Sequence, residues 1–330
     1  MVDKPKIIIL LGTYNGSRFL VEQLHSIQKQ EWTDWLLLVR DDGSTDATTE
    51  ILKEFESRDA RIRCVRDQYV RLGIVGNYGA LLRAAVIACP DFVFFSDQDD
   101  VWLPTKLSDG IRRLQEYEMV YGKTPLLVHS DLVVTSENLH TIHPSFRRYQ
   151  GIADEPQSPL TVLLVHNFVT GCTIGMNRSL LEVVVPVPKH VIMHDWWAAL
   201  CAAGCGQIGY LSTPTVLYRQ HGRNEVGAQG LWNILNPIRT NWFRRWKIGT
   251  QTFRQTMVQA AELHQRIVER YGKGAGQVLS LSENYAASLR HPRFKRVAML
   301  YHARIHPLGP LRQLLFWLRV LLLARARPHG

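Results

Sequence analysis

Three runs of consecutive apolar residues, Ile7–Leu11, Trp35–Val39 and Phe92–Phe95, each break off abruptly into a polar cluster. A strand with one wet face alternates apolar and polar residues. A strand that is apolar at every position has both faces covered, the condition of a largely parallel sheet between layers of helices. The intervening segments supply those helices. Leu20, Leu24 and Ile27 form one helical stripe, Ile51, Leu52 and Phe55 a second behind a cap at Asp46, and 77–88 reads as a third. The expected fold is therefore α/β, a mixed sheet flanked by helices, with further strands at 62–65, 126–129, 132–135, 172–176 and 216–218. A long loop is expected from His140 to Pro159, and a short helix from Asp195 to Ala203 closed by Gly204.

In open α/β sheets, ligands collect beyond the carboxyl ends of the strands. Here those ends are Thr13-Tyr14-Asn15, Asp41-Asp42-Gly43-Ser44 and Asp97-Gln98-Asp99-Asp100. One such cluster is ordinary turn chemistry. Three in one sheet, one of them with three neighbouring carboxylates, ask for a counter-charge, which a divalent cation and the phosphates of a substrate together provide. Neither a phosphate-cradling P-loop nor a GxGxxG turn follows the first run, which argues against an ATPase or a dinucleotide-dependent dehydrogenase. Asp195, beside Trp196 and Trp197, reads either as a helix cap or as a base next to apolar faces suited to a sugar. His221 reads as a surface histidine or as a metal or diphosphate contact. Arg219 and Arg223 read as surface ion-pair partners or phosphate partners.

The order and spacing of these clusters resemble the family 2 glycosyltransferases, inverting enzymes of GT-A fold. The likeness is greatest to the rhamnosyltransferase-type branch that builds bacterial surface polysaccharides such as O-antigen. The matching stretches are Thr13–Gly16, Asp41–Asp46, Leu72-Gly73 with Asn77, Ser96–Trp102, Gly171–Thr173, His194–Trp197 and Tyr218–Asn224, and the likeness spans roughly residues 5–228. It implies that Thr13, Tyr14, Asn15, Asp41, Asp42, Asn77 and Asp97 hold the nucleotide. Asp99, with His221, would take Mg²⁺ or Mn²⁺, and Asp195 would be the base. Trp102, Gly171, Cys172, Trp196 and Trp197 would line the sugar and acceptor side, with Arg219 and Arg223 at the diphosphate.

Charge divides the chain. Residues 1–230 hold 22 Lys/Arg against 26 Asp/Glu, and residues 231–330 hold 17 against 3. The expected organisation is a catalytic domain, 1–230, and a basic helical extension, 231–330. In the extension, Trp232, Trp242, Phe243 and Trp246 lie among Arg239, Arg244, Arg245 and Lys247, an interfacial composition. Leu311, Leu314, Leu315, Leu318 and Leu322 form one stripe, with Arg312 and Arg319 on another face, the pattern of a helix lying on an anionic leaflet. No nucleic-acid-binding motif accompanies the charge. Five scattered cysteines without a CxxC pair suit a reducing compartment. With no signal-like or spanning run, the expected location is cytoplasmic, peripheral on the inner face of the membrane.

The resulting expectation is a metal-dependent inverting transferase moving rhamnose from dTDP-rhamnose to a lipid-linked or surface glycan, with the oligomeric state open. Two other classes are a sugar-phosphate nucleotidyltransferase, for which the first loop offers only Arg18, and a non-enzymatic basic membrane adaptor.

Overall fold

The computed structural model describes residues 4–152, 155–222 and 242–323. The strands are β1 (Ile7–Thr13), β2 (Trp35–Asp41), β3 (Ile62–Cys64), β4 (Phe92–Ser96), β5 (Val101–Trp102), β6 (Leu126–Ser130), β7 (Val133–Thr135), β8 (Thr141–His143), β9 (Gly175–Asn177), β10 (Gln207–Leu211) and β11 (Val216–Arg219). The helices are α1 (Ser17–Gln28), α2 (Thr48–Arg58), α3 (Gly73–Ala88), α4 (Lys106–Tyr121), α5 (Phe146–Tyr149), α6 (Pro159–Leu163), α7 (Arg178–Val184) and α8 (His194–Cys205). After residue 241 follow α9 (Trp242–Tyr271), α10 (Gly276–Ala286), α11 (Arg293–His302) and α12 (Pro310–Leu322).

Seven strands form one sheet in the order β10-β6-β9-β4-β1-β2-β3. Only β9 runs against its neighbours, so the carboxyl ends of β1, β2, β4 and β6 share one edge. A smaller sheet, β5-β11-β7-β8, closes over that edge. The apolar runs divide as a double-sided sheet requires. Ile8 and Leu10 face one core with α3 and α8, while Ile7, Ile9 and Leu11 face another with α1, α2 and α4. The helices after residue 241 join the first core: Phe253, Met257, Ala260, Leu263, Ile267, Phe316 and Val320 are buried in one cluster with Trp197.

Several local expectations change. The segment expected as a strand from Cys172 to Met176 begins as a 3₁₀ turn, Gly171–Thr173, and pairs only from Ile174 onward, where its carbonyl accepts the Phe95 N–H at 3.1 Å. The loop from His140 to Pro159 contains β8 and α5, whose cap is Ser145, accepting the Arg148 N–H at 3.2 Å. Helix α8 runs past Gly204 and ends at Gly206, where a Cβ would sit 1.8 Å from the Pro125 carbonyl oxygen. Arg312 and Arg319, expected on an outward basic face of α12, both turn inward. Arg312 donates to the Gln150 carbonyl at 3.1 Å, and Arg319 lies over the Trp246 ring at 5.0 Å. The expected boundary at 230/231, with Trp232 and Arg239, lies outside the described residues. No helix among the described residues is long and apolar enough to cross a membrane.

Candidate active site

The loops after β1 and β2 are laced together by their own polar side chains. Asp41 accepts hydrogen bonds from the Thr13 hydroxyl at 3.0 Å and from the N–H groups of Gly43 and Ser44 at 3.1 and 2.8 Å. Asn15 adopts a left-handed backbone, φ +48°, which asparagine tolerates because its amide bonds locally. Its side chain accepts the Thr45 N–H at 2.8 Å, and its own N–H donates to the Ser44 hydroxyl at 2.8 Å. Gln98 joins the first loop to the third: it accepts the Tyr14 N–H at 2.9 Å and donates to the Tyr14 carbonyl at 3.1 Å. Gly16 leaves room for this clamp, since a Cβ there would lie 2.2 Å from the Gln98 Oε1. Tyr14 keeps its ring exposed at the rim.

The acidic loop follows β4. Asp97 accepts from the Tyr78 hydroxyl at 3.2 Å, and burial, then the charges of Asp99 and Asp195, push its carboxyl up to about 7. Asp99 meets His221 Nε2 at 2.8 Å. The end of β11 is tied to the same loop, because Arg219 donates its N–H to Asp100 at 3.1 Å and its Nε to the Asp99 carbonyl at 2.8 Å. Its guanidinium lies 4.5 Å over Phe19 and pairs with Glu22. Asp100 is fully buried; one oxygen takes the Arg219 N–H, and its carboxyl also meets the Cys172 thiol. Burial, then the charges of Asp99 and Asp97, raise its carboxyl well above the usual range.

Ligand atoms of Asp97, Asp100 and Cys172 lie within 4.8 Å of one another. Burial raises the Cys172 thiol as well, so Asp100 and Cys172, both buried, make the enclosed side of this group. Asp97 is the partly exposed member of that group, and Asp99 meets the His221 imidazole separately; carboxylate oxygens and an imidazole nitrogen are donor types that suit Mn²⁺ or Mg²⁺.

Asp195 opens α8. Its carboxylate accepts the Trp196 N–H at 2.5 Å and further bonds from the backbone of Gly171 and the side chain of Asn167. Burial outweighs these donors and holds the carboxyl at about 6. Gly171 presses close, as a Cβ there would come within 3.3 Å of the Asp195 carboxylate. His194, next in sequence, turns away. Its ring stacks on Tyr78 at 3.6 Å, and neither nitrogen has a hydrogen-bond partner among the described residues.

Other expected residues lie beneath the cleft instead of in it. Asp42 accepts from Arg40 at 3.0 Å and from the N–H groups of Leu72 and Gly73 at 2.8 Å each. Asn77 exchanges bonds with Arg40 at 3.0 and 3.2 Å. Both are buried and commit their polar atoms to bracing the loop after β2 rather than to a nucleotide. Trp196 and Trp197 are core, not sugar platforms: their indole N–H groups donate to the carbonyls of Leu163 at 2.6 Å and Val184 at 3.0 Å. Trp102 is also buried, under the Lys106 ammonium at 4.7 Å. Arg223 lies outside the described residues.

Gln98, Asn167 and Lys106 also contact these candidate residues, and the sequence motifs assign them no role. Lys106 had a local signal. It is a cation at the first position of a helix, where the dipole disfavours it, and burial pulls its ammonium down to about 8 beside Asp97, Asp100 and Cys172.

The family model described as "Glycosyl transferase family 2" matches residues 8–184. The dTDP-rhamnosyl transferase RfbG of Shigella flexneri is 28% identical over 252 residues, 71% of this chain and 81% of that protein. A β-1,3-glucosyltransferase of Escherichia coli, WfgD, is 29% identical over 184 residues, 55% of this chain and 64% of its own length. Among solved structures, residues 1–349 of S. aureus TarS in complex with UDP-GlcNAc superpose with a TM-score of 0.51 at 17% identity, covering 90% of this chain and 79% of that one.

Proposed function

The chain belongs to the family 2 glycosyltransferases, enzymes with a nucleotide-sugar donor, and from that premise we propose that it moves rhamnose from dTDP-rhamnose to a hydroxyl of a lipid-linked glycan with inversion. The observation that carries this reading is a carboxylate held at about 6, Asp195, whose charge is felt by the Asp97 of the acidic loop. A base beside a diphosphate cradle is the minimum apparatus for the reaction. The acceptor proton passes to Asp195, the acceptor oxygen forms its bond to the anomeric carbon, and the bond from that carbon to the diphosphate breaks on the opposite face.

Thr13, Tyr14, Asn15 and Asp41 would hold the nucleobase and ribose from the rim. Asp97 and Asp99, with His221, would hold a divalent cation, which when bound supplies positive charge to the leaving diphosphate. Arg219 positions Asp99 and Asp100 through its backbone and guanidinium bonds. The donor assignment leans on the likeness to a dTDP-rhamnosyl transferase. The acceptor assignment leans on WfgD, whose name gives a diphosphoundecaprenol-linked acceptor, and on the basic extension, which suits a site at the cytoplasmic face of an anionic membrane.

A thermal-shift panel of nucleotide sugars with and without Mn²⁺ tests donor and metal together. At a hundredfold excess over its dissociation constant the true donor adds about 2.7 kcal/mol, or about 4 °C for a chain of this size. The expected result is a shift with dTDP-rhamnose that grows with Mn²⁺ and loses that increment in Asp99→Ala. A comparable shift with a UDP-sugar and none with dTDP-rhamnose overturns the donor assignment.

A further inference from the structure

Beyond Glu283 the sequence contains no Asp or Glu through residue 330, yet it carries nine Arg and Lys. The described part of this segment folds as α11 and α12, which pack together with the Tyr301 and Trp317 rings 6.3 Å apart. Helix α12 commits Phe316 and Val320 to the core and leaves Leu314, Leu318 and Leu322 exposed, at 58, 38 and 63%. Spaced four apart, these leucines form one stripe of the helix. On α11, Phe294 and Tyr301 are 83 and 69% exposed, seven residues apart and so on one face. Arg312 and Arg319, on another face of α12, are drawn inward. A Cβ at Gly249 would lie 2.2 Å from the Arg319 guanidinium, so the glycine makes space for it.

Beside this apolar face, the turn between the two helices carries Arg304 in a left-handed backbone, φ +53°. With Tyr301, His302 and His306 it lines a depression of about 450 Å³. Among the described residues, the lining offers hydrogen-bond donors and no carboxylate, the chemistry that receives a phosphate. An exposed apolar patch rimmed by polar groups marks a docking surface. A second copy of the chain is a poor occupant, because pairing this face with itself brings two acid-free basic segments together.

We infer that the α11–α12 face is the surface by which the protein docks on an anionic phospholipid bilayer. The leucines enter the acyl boundary, and a headgroup phosphate sits at Arg304, His302 and His306. The inference rests on the lipid-acceptor reading above and says which side of the molecule faces the membrane.

Flotation of the full chain with vesicles of phosphatidylglycerol and phosphatidylcholine, against phosphatidylcholine alone, tests it. The wild type should float with the anionic vesicles and be released by high salt. Leu314→Ser/Leu318→Ser, at exposed positions, should float roughly tenfold less with an unchanged melting temperature, and Arg304→Gln should lose most of the preference for anionic lipid. Three results overturn the inference. One is equal flotation of the double variant, another is equal flotation with neutral vesicles, and the third is a wild-type dimer that the double variant dissociates while vesicles fail to float it. Release of nucleoside diphosphate from dTDP-rhamnose in the presence of a detergent-solubilised lipid-linked glycan acceptor, measured without vesicles, separates the two readings. Flotation without release leaves docking intact and removes the transferase assignment, whereas release without flotation removes docking alone.

Discussion

Asp195→Asn is the substitution that most directly tests the proton path. In the structure the carboxylate is held by the Trp196 N–H at 2.5 Å and by donors from Gly171 and Asn167. Burial nonetheless keeps its pKa near 6, so at neutral pH it is charged and basic enough to take a proton. Asparagine preserves shape and one acceptor oxygen but turns an NH₂ toward the remaining donors and cannot be protonated in this range. The expected cost is roughly 10²–10⁴-fold in kcat. KM for the nucleotide sugar should change little, since the nucleotide loops are built from other residues.

The assay is the initial rate of nucleoside diphosphate release in the presence of acceptor, across pH. Because the protonated carboxyl is inactive, the wild-type rate should fall on the acid side with a midpoint near pH 6. One unit below that midpoint about a tenth of the groups remain ionised. The variant should be slow and should lack this limb. A variant within about tenfold of wild type, or one that keeps the acid limb, refutes the assignment of the base to Asp195.

Two further substitutions separate support from chemistry. Trp196→Phe removes the hydrogen bond to the Leu163 carbonyl and should cost about 1–3 kcal/mol in denaturant melts while leaving turnover unchanged; a selective rise in KM for acceptor would restore the indole as a sugar contact. Arg40→Met strands the buried Asp42 and should cost roughly 3–5 kcal/mol, with a raised KM for the nucleotide sugar as the loop after β2 loosens. Unchanged stability would mean that the Arg40–Asp42–Asn77 network does not brace that loop.

Much of the site was readable because it is local. The runs at Ile7–Leu11 and Phe92–Phe95 are buried throughout, and the polar clusters stand where those strands end. The orientation of the two tryptophans was not readable from their neighbours, although the remainder of α8 carried a hint. From Trp196 to Ala202 the helix is buried at every position, and a helix without a polar face has no wet side on which to present a sugar platform. Asp42 and Asn77 misled for a different reason. Their residue types are those of a nucleotide contact, and only the arrival of Arg40 between them turns both inward.

By itself, the sequence determined what most segments of the first hundred residues are, strand, helix or polar turn, and which carboxylates end up beyond a strand. Side-chain period and turn chemistry act over a few residues, so they are legible along the chain. Tertiary structure alone decided which segments meet. It set the strand order, with β9 inserted between β4 and β6, and joined Tyr14 to Gln98 across 84 positions and Asp99 to His221 across 122. It also drew Arg312 and Arg319 inward, leaving α12 to show leucine rather than arginine. Those pairings are selected by burial and by satisfying polar atoms once water is excluded, quantities that exist only after distant parts of the chain have come together.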